Sequence, residues 1–416
     1  MTPQQIRREL TVTTFSAFLN FLGLTIAFPI VTPLCMPGGG FFPLDTPKTV
    51  CTAFLGILLG LFPLVQFFTA PILGSLSDRY GRKPILLFSI IGMTLGSALF
   101  ALSISISSLW LALASRIIQG GLSGSLAVLQ STLSDLSDEK TKTRNFGLFG
   151  AAFGASLFLG PALGGFLSDK TLVPWFSLAT PIWFAAILGV LNYFQVQFTF
   201  NESLPQDRRK HSRSHLLTGP INVFKAFTNP ATRKLFSTAF LLAFGFNFFT
   251  QFFQYFLIER HNVTQFQIGA LFAYIGLFSI LVQAIGVRYI SKVFRPSQVL
   301  RWTLLLLPFV FPLIMLMPSY GWLYAVVFLN PMLNGVSIPN ITTLVSSLAD
   351  NRSQGEILGI NQSVQAVAQF IPPLLGGAIV GLHYTLPLWI SSAFIFLAWV
   401  VFMWPGRKTA PATAQT

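Results

Sequence analysis

Gly74-Ser75-Leu76-Ser77-Asp78-Arg79-Tyr80-Gly81-Arg82-Lys83-Pro84 is a compact charged turn set between two apolar runs, 52–74 and 84–106. A helix needs ~20 predominantly apolar residues to cross the hydrocarbon of a bilayer, and each run is long enough. The turn therefore reads as a loop joining two membrane-spanning helices. Working outward from it, ten more such runs are separated by short polar segments: 12–32, 109–131, 145–167, 175–197, 235–258, 264–287, 299–317, 320–346, 356–380 and 385–404. Closed barrels would instead show alternating segments of ~10 residues, a pattern this chain lacks. The predicted fold class is an all-α polytopic membrane protein with twelve transmembrane helices.

Composition supports that class. Of 416 residues 53% are hydrophobic, only 9% are charged, and phenylalanine alone fills 44 positions. A soluble fold could not hide so much apolar surface. Of the 26 Lys and Arg, Lys48, Lys170 and Arg260 fall on one side, Arg116 lies within a helix, and the other 22 share the opposite side with both termini. Basic residues are retained in the cytoplasm, which predicts cytoplasmic termini. The same pattern accounts for the +14 net charge without nucleic acid, since the charges are scattered over short loops. The first apolar run is long and lacks a convincing small-residue cleavage site, so no cleavable signal peptide is expected.

Laid on itself at an offset of 212 residues, the chain matches at three loops. Gly74 and Pro84 fall on Gly286 and Pro296, Asp138 and Gly147 on Asp350 and Gly359, and Pro161, Gly164 and Gly165 on Pro373, Gly376 and Gly377. A shared register across three loops predicts two six-helix pseudo-repeats. The expected units are an N-terminal half 1–197, a linker 198–234, a C-terminal half 235–404 and a tail 405–416. The linker carries Asp207-Arg208-Arg209-Lys210-His211-Ser212-Arg213, read as a solvated cytoplasmic tether with affinity for anionic lipid.

Three motifs carry a family resemblance over essentially the whole chain. They are Gly74-x-Leu76-Ser77-Asp78-Arg79-x-Gly81-Arg82-Lys83, Arg116-Ile117-Ile118-Gln119-Gly120, and Gly154 to Gly165, ending Gly160-Pro161-Ala162-Leu163-Gly164-Gly165. With twelve helices and parallel half repeats, the chain resembles the major facilitator superfamily, in its drug-proton antiporter branch and closest to tetracycline-type exporters. The resemblance implies a central cavity, alternating access, proton-coupled efflux of a small lipophilic drug or metabolite, and a multi-pass protein of the bacterial inner membrane acting as a monomer. A nutrient importer and a non-transporting receptor remain open alternatives, because direction is set by coupling and not by architecture.

Residue chemistry gives these motifs their expected roles. Asp78 can pair with a neighbouring arginine and latch the halves while the protein faces outward, Arg79, Arg82 and Lys83 can tether to lipid phosphates and to helix ends, and Gly81 permits a tight turn, with Gly74 as its companion glycine. Arg116 is a full charge deep within an apolar helix, where insertion costs ~2.5–3.5 kcal/mol and demands a polar partner; Gln119 shares its face. Gly154, Gly160 and Gly164 permit close helix approach, beside Gly165, and Pro161 bends the segment; the resemblance links this stretch to antiport. Uncharged polar residues mark the expected substrate cavity: Asn247, Gln251 and Gln254 on one helical face interleaved with Phe244, Phe248 and Tyr255, then Gln362, Gln365 and Gln369 with Asn361, Asn334 with Asn340, and Asn20.

Exporters of this branch often carry an acid in the first helix, in a pattern like Phe-Leu-Asp-x-x-Gly, where this chain has Phe18-Leu19-Asn20-Phe21-Leu22-Gly23. All twelve Asp and Glu lie in loops, tails or helix ends, including Asp135 and Glu356. Coupling is therefore expected to use the substrate's own protons opposite Arg116, and the cavity to prefer neutral, zwitterionic, metal-chelated or anionic ligands over cations. Cys35 and Cys51, the only cysteines, share one predicted external loop, leaving a disulfide or two free thiols open. No metal spacing, nucleophile motif or phosphate loop appears, so neither an enzyme nor a cofactor is expected.

Overall fold

Apolar runs of this length leave the backbone no hydrogen-bond partner in hydrocarbon except itself, and the chain is accordingly helical almost throughout. The computed structural model describes residues 3–137, 142–204, 206, 209, 217–230, 232–346 and 354–404. Asp138, Asp350, the tail 405–416 and all of the linker's basic run except Arg209 lie outside the described residues, as does the Glu356 side chain.

The N-terminal half comprises α1 (Pro3–Thr25), α2 (Phe28–Leu34), α3 (Lys48–Tyr80), α4 (Arg82–Ser105), α5 (Leu109–Gly121), α6 (Ser125–Asp135), α7 (Lys142–Leu167) and α8 (Thr180–Thr199). Within the linker α9 (Thr218–Thr228) forms a short helix. The C-terminal half comprises α10 (Arg233–His261), α11 (Gln265–Leu281), a π-helical turn Val282–Gly286, α12 (Val287–Val293), α13 (Pro296–Met315), α14 (Tyr320–Val327), α15 (Leu329–Ser346), α16 (Gln354–Leu382) and α17 (Leu386–Met403). Among the described residues eleven segments are long and apolar enough to cross a membrane, and Gln265–Leu281 is a shorter apolar helix continued by the π turn and α12. The twelve expected runs thus all appear, but the first, fourth, eighth and tenth are interrupted.

The two halves meet through two helix pairs, α3 with α16 and α7 with α11. Small residues set the spacing. A Cβ on Gly377 would stand 2.5 Å from the Thr52 carbonyl oxygen and one on Gly56 would stand 2.8 Å from the Gly377 Cα. Across the other pair, a Cβ on Gly269 would meet the Pro161 carbonyl oxygen at 2.5 Å and one on Gly165 the Gln265 carbonyl oxygen at 2.9 Å. Lipid is as apolar as leucine, so close van der Waals packing of this kind holds membrane helices together. These contacts lie toward the face opposite the chain termini, where Lys48 of α3 and Glu259 of α10 also pair at 2.8 Å. Toward the terminal face α9 enters between the halves. Gly219 packs on the Phe67 ring, and the Asn222 amide donates to Ser363 Oγ of α16 at 3.3 Å.

Candidate substrate cavity and its flanking loop

The interruption between α5 and α6 falls at Leu122-Ser123-Gly124 and frees backbone carbonyls inside the apolar layer. Two side chains of α3 satisfy them. Thr69 Oγ1 donates to the Gly120 carbonyl at 2.9 Å and Gln66 Nε2 to the Ser123 carbonyl at 3.4 Å. Broken helices persist in membranes where they are buried in protein or line a cavity, and Gln66 does line one.

That cavity has two connected lobes. The deeper, of about 360 Å³, lies between α2, α3, α5 and α10 and contains Arg116, Gln66, Gln251 and Gln254. The second, of about 420 Å³, lies mostly within the C-terminal half and contains Gln283, Asn330, Asn334 and Gln365. Phe28, Phe153, Asn247, Thr250, Gln251 and Gln369 border both. Each lobe is in the size range of small-molecule sites and mainly apolar.

Arg116 is the only full charge among the described residues lining either lobe. Its Nη1 donates to Gln119 Oε1 at 2.7 Å, and its guanidinium lies 3.8 Å from the centroid of the Phe100 ring. Gln119 in turn donates to Ser97 Oγ of α4 at 3.0 Å. The expected Arg116–Gln119 pairing is present and uses one of the guanidinium donors of a residue that lines the lobe.

The other expected cavity residues divide. Asn247, Gln251, Gln254, Asn334 and Gln365 line the lobes. Asn20 does not: its amide donates to the Ser16 carbonyl at 2.8 Å and accepts from Ser125 Oγ at 3.1 Å, beside a separate pocket of about 30 Å³. Its face of α1 turns toward α6. Gln362 is exposed, one turn nearer the terminal face than Gln365 and outside the lining. Phe244, Phe248 and Tyr255 turn into an apolar cluster, and the aromatic lining comes instead from residues such as Phe28, Phe62, Phe153 and Phe246. Sequence reading missed Gln66, Gln283 and Asn330, isolated amides with no periodic partner to flag them.

The charged turn is a closed network within the N-terminal half. Arg82 is 5% exposed. Its guanidinium pairs with Asp78 at 2.6 Å and with Asp135 at 2.9 Å, and donates to Ser77 Oγ at 2.7 Å. The Glu202 carboxylate accepts from the backbone N–H of Arg82 and of Lys83, at 2.8 and 3.2 Å, satisfying the free end of α4. Arg82 is thus not a lipid tether, because burial and two carboxylates already engage it. In this arrangement, closed at the opposite face, Asp78 pairs within its own half. Arg79 is exposed, and Lys83 Nζ donates to the Gln197 carbonyl. Gly81 has φ +108°, and a Cβ there would strike the Glu202 carboxylate; Gly74 has open space where a Cβ would go.

In α7, Gly160 and Gly164 face Thr25 and Ile26 of the first membrane segment, whereas Gly154 and Gly165 face α11 of the other half. Cys35 and Cys51 are both buried free thiols, so the disulfide considered from sequence is not formed in this structure. Cys51 lies in the first turn of α3 and Cys35 ends α2, both packed among apolar side chains instead of sharing an open loop. Among the described residues no cluster of His, Cys, Asp or Glu could hold a metal ion.

A transporter built of two helical halves around a shared cavity is the class this geometry defines. Residues 13–373 match the model of the Major Facilitator Superfamily, and the chain belongs to that family of membrane transporters, which are not enzymes. It is 29% identical to mouse (Mus musculus) major facilitator superfamily domain-containing protein 10, over 87% of this chain and 80% of that protein. It is 28% identical to the quinolone resistance protein NorA of Staphylococcus aureus strain MRSA252, over 96% of each, and 28% identical to the class H tetracycline resistance protein of Pasteurella multocida, over 86% and 88%. Among solved structures, the human organic anion transporter MFSD10 aligns with a TM-score of 0.74 at 22% identity, covering 97% of this chain and all of that one. A D-xylose-proton symporter aligns at 0.75 with 14% identity, covering 97% and 99%.

Proposed function

We propose that this transporter works by alternating access and exports a small, lipophilic organic anion or zwitterion, with both termini in the cytoplasm of a bacterial inner membrane. The observation that carries the reading is Arg116, the one charge among the described lining residues, with no carboxylate beside it. A desolvated cation attracts an anionic group and repels a cationic one. Export suits that charge, since an anion leaving a negative compartment gains about 2.3 kcal/mol per 100 mV. Relatives named for quinolone and tetracycline resistance favour export, and the structural neighbour titled an organic anion transporter agrees in sign. Proton coupling is assigned to the substrate's own acid group, whose ionised form pairs with Arg116. The cavity is completed within one chain, so the working unit is a monomer. The units of function are the halves 1–197 and 235–404, joined by 198–234, with 405–416 as a tail.

The test uses inverted membrane vesicles acidified inside and a pH-sensitive dye, with a panel of organic anions, zwitterions and cations. Proton release by anionic or zwitterionic compounds, lost in Arg116→Ala, is expected. Release by cations alone, or silence across the panel from folded protein, defeats the reading and favours an importer or a receptor.

A further inference from the structure

The second lobe holds two amides, each with one buried polar atom that lacks a partner among the described residues. Asn330 and Asn334 stand one helical turn apart at the start of α15, so their side chains share a face. They are 3% and 5% exposed, and both line the lobe. Asn330 Nδ2 lacks an acceptor and Asn334 Oδ1 lacks a donor. A buried unsatisfied donor and acceptor of this kind cost free energy, and a ligand that supplies the complement recovers it. One donor beside one acceptor is complementary to a group that carries both, such as a carboxamide or a lactam.

Position adds the second half of the case. Arg116 lies seven residues into α5, roughly 10 Å below the face opposite the termini. The amide lobe extends toward the terminal face through residues such as Ala239 of α10 and Ile341 of α15. Phe28 and Phe153 border both lobes, so a ligand reaching from one to the other passes an apolar, aromatic stretch. We infer that the second lobe is a distinct hydrogen-bonding subsite, taking the uncharged, amide-like end of an elongated amphipathic acid whose carboxylate is held at Arg116. The carboxylate end rests on the reading of the cavity as an anion site. The amide end rests on Asn330 and Asn334 alone.

The test is binding to the full-length purified protein by titration calorimetry. The probes are aryl carboxylates with one, two or three phenyl rings, each with and without a carboxamide at the far end, and the matching dicarboxamides without the acid. At one spacer length the carboxamide should tighten binding at least tenfold. That gain, taken against the plain acid of the same length in the same variant, should fall below threefold in Asn334→Leu and in Asn330→Leu. Should a leucine variant fail to fold, Asn334→Ala serves in its place. Absence of a gain at every length, or a gain that survives in the variants, overturns the subsite. Dicarboxamides that bind as tightly as the acids, with Arg116→Gln leaving acid binding unchanged, overturn instead the anion end and the function it rests on.

Discussion

Two arginines of equal formal charge do opposite work here, and their surroundings decide which. Arg82 is buried between Asp78 and Asp135, so removing it would leave two carboxylates with their countercharge gone. Breaking one side of a fully buried ion pair costs about 3–5 kcal/mol, and the loss here should be smaller because the two carboxylates keep 38% and 23% exposure. Arg82→Ala should therefore lower the thermal unfolding temperature of the detergent-solubilised protein markedly, with Arg82→Lys keeping part of the loss back. Arg116→Ala takes one hydrogen bond from Gln119 and a cation–π contact from the Phe100 ring, about 1–2 kcal/mol each, and relieves the cost of burying the charge. Its unfolding temperature should hardly move while transport of anions disappears; a large drop in stability with transport retained would contradict the assignment. Arg116 was legible in the sequence because a charge inside an apolar run is conspicuous by itself. Arg82 was not, because its role depends on Asp135, 53 positions along the chain, and on Glu202 at the start of the linker. Asn20 was misplaced for a related reason. Polarity inside a span says that a partner exists, and here that partner is Ser125 of α6, away from the cavity.

Among the elements, hydropathy located all twelve membrane runs and missed the breaks within them. Leu122-Ser123-Gly124 is as apolar as a continuous helix requires, and only the Gln66 and Thr69 side chains of α3 show where its carbonyls are freed. Likewise, α9 was hidden in a linker whose basic residues dominate its reading. Glycines illustrate the same limit. Gly165 and Gly377 belong to the repeated motif, but the glycines they meet, Gly269 and Gly56, stood out in no pattern. The turn offers a contrast that tests this directly. Gly81 adopts φ +108° against Glu202, while a Cβ on Gly74 would meet nothing within 4 Å. Gly81→Ala should cost roughly 1–3 kcal/mol from the backbone alone, because φ +108° with ψ 161° is a region open essentially to glycine, before the contact with Glu202 is counted. Gly74→Ala should be neutral or slightly stabilising, since alanine is the better helix former inside α3. Denaturant titration of the two variants side by side distinguishes them, and equal losses would mean that the packing around Gly74 is tighter than the structure shows.

At the scale of the whole molecule, closure at the face opposite the termini rests on one apolar cluster drawn from both halves. Cys35 and Leu55 of the N-terminal half pack there with Phe248, Phe252, Tyr255 and Val380 of the C-terminal half. Alternating access requires these surfaces to part, and the two native thiols report whether they do. Cys35 and Cys51 are each 1% exposed in the closed arrangement, and burial, aided by the neighbouring Cys51, pushes the Cys35 thiol above its ordinary range. Alkylation needs the thiolate, so it should be slow until that face opens. Lys48 and Glu259 make an ion pair across the halves, but Lys48 is 58% exposed, which limits the pair to about 1 kcal/mol or less. Apolar packing therefore holds the closed state and the ion pair biases it. Lys48→Glu sets two carboxylates against each other and should raise the alkylation rate of the buried thiols by a few-fold, up to about fivefold for 1 kcal/mol. The exchanged pair, Lys48→Glu with Glu259→Lys, should return the rate to that of the unaltered protein. An impermeant maleimide applied from the side opposite the termini measures both. A rate that Lys48→Glu leaves unchanged would show that the closed face does not depend on this pair, and a rise that the exchange fails to reverse would place the effect in lysine's packing and not in its charge.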